Sequence, residues 1–376
     1  MTTQAAEKTA TRSGMYIPGL DGLRFLAFFL VLINHLSKKD VQAGWAGVQH
    51  IGWSGVELFF VLSAFLLTKL AVEETNRQGR VAIKKFFIRR ILRIWPLYYL
   101  FVFAYFGYFM IHNHVFTLLL PRVLGLLTFT DNIWSAVTHQ NNIASSAHLW
   151  SISMEEQFYL LLPLLIPLLV RKSRQTQLIM GGSVLAFLLV MRVIAVYQDM
   201  TFPFIYNSPL GGDAFIVGIL LGLGAFDAVL RRIPPLLEFA AGVALLGSLV
   251  AMPWFQEMNY VQIVAFPIAA FGYMLMVDAI ANHSSRLLEA IFANRVTRYL
   301  GKISFGLYVW HYVILNEAEQ QFEKVPALWG YDLAWYIRMA AILAVTILVS
   351  VASYELYEKR FLRLKSRFTV VQSRPV

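Results

Sequence analysis

The chain has 376 residues, of which 58% are hydrophobic and 15% aromatic, while only 14% are charged. A soluble domain of this length carries about 25% charge, so a water-soluble enzyme is excluded and a polytopic membrane protein is expected. The net charge of +10 does not point to nucleic acid, because the basic residues cluster between apolar runs, as topology-setting loops do.

No apolar core precedes a small-residue cleavage site near Lys8 and Arg12, so no removable signal peptide is expected. Cysteine is absent, which excludes disulfides and thiolate chemistry. Apolar runs predict ten spans near 19–37, 52–71, 95–112, 150–170, 177–197, 208–230, 236–253, 261–281, 300–316 and 331–353. Residues 1–16 read as an N-terminal tail, 17–357 as one membrane unit and 358–376 as a basic C-terminal tail.

The run 115–130 is short and contains Pro121, Arg122 and Gly125. Basic loops 72–94 and 171–176 should both be cytoplasmic. The chain must then cross an even number of times between them, and 95–112 with 150–170 already supplies two crossings. The 115–130 run is therefore expected to be re-entrant or interfacial on the outer side. With both termini cytoplasmic, all but six of the 32 Lys and Arg (Lys38, Lys39, Arg122, Arg192, Lys324 and Arg338) fall at or near the inner face.

The first span, LDGLRFLAFFLVLINHLSKK, carries Arg24 and His35. Eleven helical steps place both on one face, roughly 16 Å apart along the axis. Ionisable groups at membrane depth face a cavity or a partner. Glu57 enters the second span at a depth similar to that of His35. A carboxylate on one imidazole nitrogen would make His35 a general base; a plain helix-to-helix ion pair accounts for the same spacing.

The third block, FFIRRILRIWPLYY, sets Arg89, Arg90 and Arg93 at a cytoplasmic helix start. They read as a topology anchor or as a phosphate clamp beside Arg24. AHLWSISMEEQFYLLLP opens the fourth span with His148, Trp150, Glu155, Glu156, Gln157 and Tyr159. Adjacent carboxylates cannot share a helix face, so at least one points inward. The block reads as a sugar-binding rim or as an interfacial aromatic belt.

KISFGLYVWHY carries Lys302, Ser304, Tyr308 and His311, with Tyr308 and His311 sharing a helix face. Interhelical hydrogen bonding accounts for them equally well. Asp213, Glu355 and Glu358 are further buried-charge candidates. His112, His114, His139 and His148 lack a metal-ligand spacing, and no metal site is expected.

Together these blocks resemble the acyltransferase 3 family of bacterial integral-membrane acyltransferases. The resemblance rests on GLDGLRFLAFFLVLINH, GVELFFVLSAFLL, FFIRRILRIWPLYY, HLWSISMEEQFYLLLP, and LGKISFGLYVWH followed by SYELYEKR, in the family's order. It implies about ten transmembrane helices in a bacterial inner membrane. It also implies transfer of an acyl group, often acetyl, from cytoplasmic acyl-CoA to a hydroxyl, usually on a surface glycan.

On this resemblance Arg24 and His35 are essential, and Arg89, Arg90 and Arg93 handle the CoA phosphates. Glu155 is the block's carboxylate, with Trp150 and Tyr159 beside it at the acceptor. Tyr308, His311, Ser353 and Glu358 support the site, and acyl-CoA is a substrate rather than a resident cofactor. Three positions depart from the family: Glu57 stands for Asp, Ser63-Ala64-Phe65 for Ser-Gly-Phe, and Arg360 for a Pro after Glu358-Lys359. Many relatives carry an extracytoplasmic hydrolase-like domain; none is evident here, which leaves the membrane unit to finish the transfer itself or to act with a separate partner. A macrolide-type or lipid-linked acceptor is the alternative within the enzyme class. A transporter of a lipid-linked or anionic solute is the alternative outside it.

Overall fold

In the computed structural model, residues 15–36, 43–113, 116–138, 144–198, 200, 202–254, 259–282, 285–322 and 331–371 are described. The expectations for tail residues 1–14 and 372–376, for Lys38, Lys39 and Lys324, and for His114 and His139 fall outside them. Among the described residues every regular element is helical.

The principal helices are α1 (Gly19–His35), α2 (Gly55–Gln78), α3 (Ile83–Asn113), α4 (Phe116–Leu127), α5 (Asp131–Thr138) and α6 (Trp150–Val170). They continue as α7 (Arg174–Tyr197), α8 (Asp213–Gly222), α9 (Pro235–Ser248), α10 (Asn259–Ala281), α11 (Arg295–Lys302), α12 (Ser304–Phe322), α13 (Tyr331–Ser353) and α14 (Lys359–Ser366). A single π-helical turn, Tyr354–Glu358, joins α13 to α14. Such turns are uncommon inside helices and gather at functional sites.

Six described segments are long and apolar enough to cross a membrane: Ala46–Gln78, Ile83–Tyr108, Ser146–Val170, Arg174–Tyr197, Tyr260–Ala281 and Trp335–Ser366. On α6 and α7 the outward residues are apolar, among them Leu160, Leu164, Leu168, Ile179, Phe187 and Val190. That surface suits lipid, which offers no hydrogen bonds.

The expected span at 208–230 is not one helix. Pro209 opens a short 3-10 turn, α8 covers only ten residues, and Gly224 adopts φ +74° before another four-residue helix at Asp227–Leu230. Glycine carries that positive φ without strain, so the sequence breaks where an apolar count sees continuity. The 115–130 run is the twelve-residue α4, shorter than the roughly 20 residues a crossing needs. A turn with Phe129 at φ +54° then leads into α5.

Close helix crossings build the interior. A Cβ on Gly52 would meet the Leu30 carbonyl oxygen at 2.6 Å, and one on Gly55 the Ala27 carbonyl oxygen at 2.5 Å, so α2 starts against the backbone of α1. Small residues permit such approach in membrane bundles. Gly218 and Gly222 do the same for α8 against Val61 and Phe65 of α2. At the other end of α1, Gly22 lies under the Phe292 carbonyl and Gly301 under that of Asp21. α1 is thereby gripped along its length.

Candidate functional site

One large cavity opens between α1, α2, α3, α6, α12 and the tail helix α14, enclosing about 1100 Å³ with its mouth. Four cations line it: Arg24, Arg90, Arg93 and Lys365. Among the described residues, two carboxylates line it with them, Asp21 and Glu155. Asp21 is committed locally, with Arg24 Nη1 donating to its Oδ1 at 2.6 Å and the Tyr16 hydroxyl to its Oδ2 at 2.9 Å. The cavity therefore carries an excess of positive charge, which favours a polyanionic ligand.

Glu155 gathers hydroxyls. Both Ser63 Oγ and the Tyr159 hydroxyl donate to its Oε1. The Arg90 guanidinium lies over the Tyr159 ring, 5.6 Å from its centroid. Glu156 turns the other way and accepts from Trp95 Nε1 at 3.0 Å, so the adjacent carboxylates diverge as helical geometry requires. Trp150 does not join Glu155 and Tyr159; it is buried against Tyr206, 4.6 Å between ring centroids.

The arginine block divides. Arg90 and Arg93 face the large cavity, whereas Arg89 pairs with Glu74 at 3.1 Å and donates to the Phe368 carbonyl at 3.1 Å. Arg89 lines only a smaller adjoining pocket, shared with Glu74, Arg90 and Lys365. Ser353 and Glu358 bracket the π-turn, Ser353 Oγ donating to Glu358 Oε1 at 3.1 Å. Arg93 is a charge neighbour of Glu358, which brings the π-turn up to the cavity's basic wall.

Tyr308 links the cavity to a histidine cluster. Its side chain lines the cavity, and its hydroxyl lies 2.6 Å from Ser151 Oγ and donates to the His148 carbonyl at 2.9 Å. Behind it His148 and His311 are in ring contact at 5.0 Å. His311 Nε2 then lies 2.9 Å from His35 Nδ1, and Tyr312 packs edge-on against His35 at 4.5 Å.

The expected meeting of His35 with Glu57 is not what the fold makes. Glu57 is buried elsewhere, in the electrostatic company of Asp213, Arg192, Tyr206 and Tyr273, and its Oε2 has no hydrogen-bond partner among the described residues. Similar depth along two helices did not specify which faces they turn to each other. Asp213 and Arg192 form a buried two-pronged pair, with a 3.0 Å bond from Nη2 to Oδ1, and Arg192 Nη1 also donates to the Leu210 carbonyl at 2.6 Å.

Ser63, Ser151 and Lys365 are cavity residues that sequence reasoning did not single out. The serines sit within recognised blocks. Lys365 gave no signal, because it reaches the cavity only when the tail folds back along α3.

The acyltransferase domain model of the acyltransferase 3 family matches residues 17–355. The chain belongs to this family. The family and the apolar helices make it a multi-pass membrane protein. It is similar to O-acetyltransferase OatA of Staphylococcus aureus (strain NCTC 8325 / PS 47), 28% identical over 325 residues, which cover 81% of this chain and 51% of that protein. The same protein of Staphylococcus aureus (strain COL) matches equally. The chain thus spans about half the length of these relatives. No solved structure matches it.

Proposed function

We propose that this membrane acyltransferase moves an acyl group, acetyl first among candidates, from cytoplasmic acyl-CoA to a hydroxyl of a surface or exported glycan. The observation that carries this reading is the single cavity in which Arg24, Arg90, Arg93 and Lys365 stand at hand for phosphates. Arg forks match phosphate oxygens in pairs, and Lys adds a point charge. In this reading ten spans cross a bacterial inner membrane, with both termini and the arginine end of the cavity in the cytoplasm.

The donor docks by its phosphates, and the flexible pantetheine arm carries the thioester toward Tyr308 and the histidine cluster. His35 lies roughly 16 Å further along α1 than Arg24 by helical rise, and is half-buried, which leaves it approachable for an acceptor from the outer side. The acceptor oxygen attacks the thioester carbonyl carbon while His35 takes its proton. Collapse of the tetrahedral intermediate breaks the carbon–sulfur bond, and the imidazolium returns the proton to the leaving thiolate. Ser63, Tyr159 and Tyr308 line the cavity, and each would give up its present acceptor, Glu155 or the His148 carbonyl, to donate its one hydrogen to the oxyanion.

The test uses the purified full chain in detergent with radiolabelled acetyl-CoA and an oligosaccharide panel. Label is expected on an oligosaccharide hydroxyl, with His35→Ala abolishing transfer while remaining folded. Full transfer by His35→Ala removes the general base from the proposal. Uptake of a solute into vesicles, with acetyl-CoA left intact, overturns the enzyme reading in favour of transport.

A further inference from the structure

We infer that His311 is the positioning residue that sets the tautomer of His35, the role the sequence assigned to Glu57; this rests on the function proposed above. The deduction follows the hydrogen atoms. His311 Nδ1 lies 2.6 Å from the Tyr308 carbonyl oxygen. A carbonyl oxygen only accepts, so Nδ1 of His311 carries hydrogen.

The His311 ring is fully buried among Phe28, His35, His148, Tyr308 and Tyr312. None of these neighbours is anionic, and an uncompensated charge is costly there. A neutral imidazole has one N–H and one bare nitrogen, so Nε2 of His311 is an acceptor. The His35 Nδ1 atom, 2.9 Å away, is therefore the donor. It follows that His35 holds its hydrogen on Nδ1 and presents a bare Nε2.

That is the tautomer a general base needs at its reacting nitrogen. The third imidazole obeys the same logic: His148 Nε2 lies 3.2 Å from the Val309 carbonyl, which requires a hydrogen there. Two main-chain carbonyls of α12, those of Tyr308 and Val309, thus fix two of the rings. His311 passes the first of these constraints on to His35.

The arrangement also responds to the reaction. When Nε2 of His35 takes the acceptor's proton, its Nδ1–H becomes part of an imidazolium. The hydrogen bond to His311 then becomes charge-assisted and strengthens by roughly twofold. His311 therefore binds the transition state better than the resting state, which is the condition for raising kcat. A purely structural contact between α1 and α12 has no such consequence.

Asparagine and glutamine separate the two possibilities. Gln at 311 sets its carbonyl oxygen near the position of Nε2, keeping an acceptor for His35. Asn is one methylene shorter; it still reaches the Tyr308 carbonyl but not His35. CoA-thiol release from acetyl-CoA by the full chain in detergent, with melting temperature recorded in parallel, reads the effect.

His311→Asn is expected to lower kcat about 100-fold with KM for acetyl-CoA within about twofold, while His311→Gln keeps kcat within about tenfold of wild type. Wild-type kcat in His311→Asn overturns the inference. So does an equal loss in both variants, or a loss in His311→Gln alone beyond about 100-fold at an unchanged melting temperature; that last measurement decides the matter should His311→Asn fail to fold. Activity that survives His35→Ala removes His35 as the general base, and the inference with it, while leaving acyl transfer standing. A dead His35→Ala beside a fully active His311→Asn defeats only the inference.

Discussion

Replacing Arg89 with alanine should weaken the fold and leave donor affinity almost untouched, in contrast to the same change at Arg90. The arginines stand in one motif, but successive helical residues are 100° apart, and the structure uses that angle. Glu74 has 2% of its side chain exposed and Arg89 13%. Removing Arg89 leaves Glu74 buried with, among the described residues, the Ala82 N–H alone, at 3.1 Å. Breaking a buried pair from one side costs about 3–5 kcal/mol, and the partial exposure of Arg89 argues for the lower figure.

About 3 kcal/mol is roughly a 150-fold shift in the folding equilibrium. The tail would also lose the bond from Arg89 to the Phe368 carbonyl. Arg90 has no such carboxylate bond and faces the cavity. Its removal should forfeit a charged hydrogen bond to phosphate of about 1.5–3 kcal/mol, raising KM for acetyl-CoA about 10- to 150-fold at unchanged melting temperature. Thermal unfolding in detergent and steady-state kinetics on the two variants give both numbers. A raised KM with a normal melting temperature for Arg89→Ala would refute the division of labour.

Two further outcomes follow from the same charges. Asp213→Ala strands Arg192, which is fully buried; the cost should be about 3–5 kcal/mol, read as a lowered melting temperature and largely recovered by replacing both residues with leucine. Lys365→Ala should raise KM for acetyl-CoA several-fold without changing kcat, and raising salt from low to physiological strength should weaken donor binding more in the wild type than in the variant, because the exposed mouth of the cavity is screened. Equal salt dependence in the two proteins would exclude Lys365 from the donor's charge field.

What the sequence made legible was local. Arg24 and His35 share a helix, and helical periodicity alone put them on one face. Asp21 and Arg24 are three apart, a spacing that pairs charges on any helix. The divergence of Glu155 and Glu156 was equally readable. The partner of His35 was not, because His311 is 276 residues away and depth along a span says nothing about the rotation of the neighbouring helix. Glu57 was the nearer carboxylate by depth and turned to a different neighbour. Lys365 was invisible for a related reason: a basic tail reads as a topology signal until its helix folds back against α3. The 208–230 run failed by composition, since Gly211, Gly212, Gly222 and Gly224 add nothing to hydrophobicity yet decide where helices stop.

The packing of α1 gives the proposed chemistry its ruler. Gly52 and Gly55 bring the start of α2 onto the backbone of its C-terminal half, while Gly22 and Gly301 lock its N-terminal half against residues 292 and 301. A helix held by backbone contacts on several sides has little freedom to slide or rotate, because any shift drives main-chain atoms into one another. Arg24 and His35 are therefore fixed in mutual distance and angle. A donor held at Arg24 by its phosphates meets its base at a set reach, which the pantetheine arm spans and the acyl chain does not alter. Choice among acyl groups must then lie beyond the thioester, in the apolar wall that Phe59, Phe60, Val56 and Ile152 present to the cavity, and not in the placement of the base.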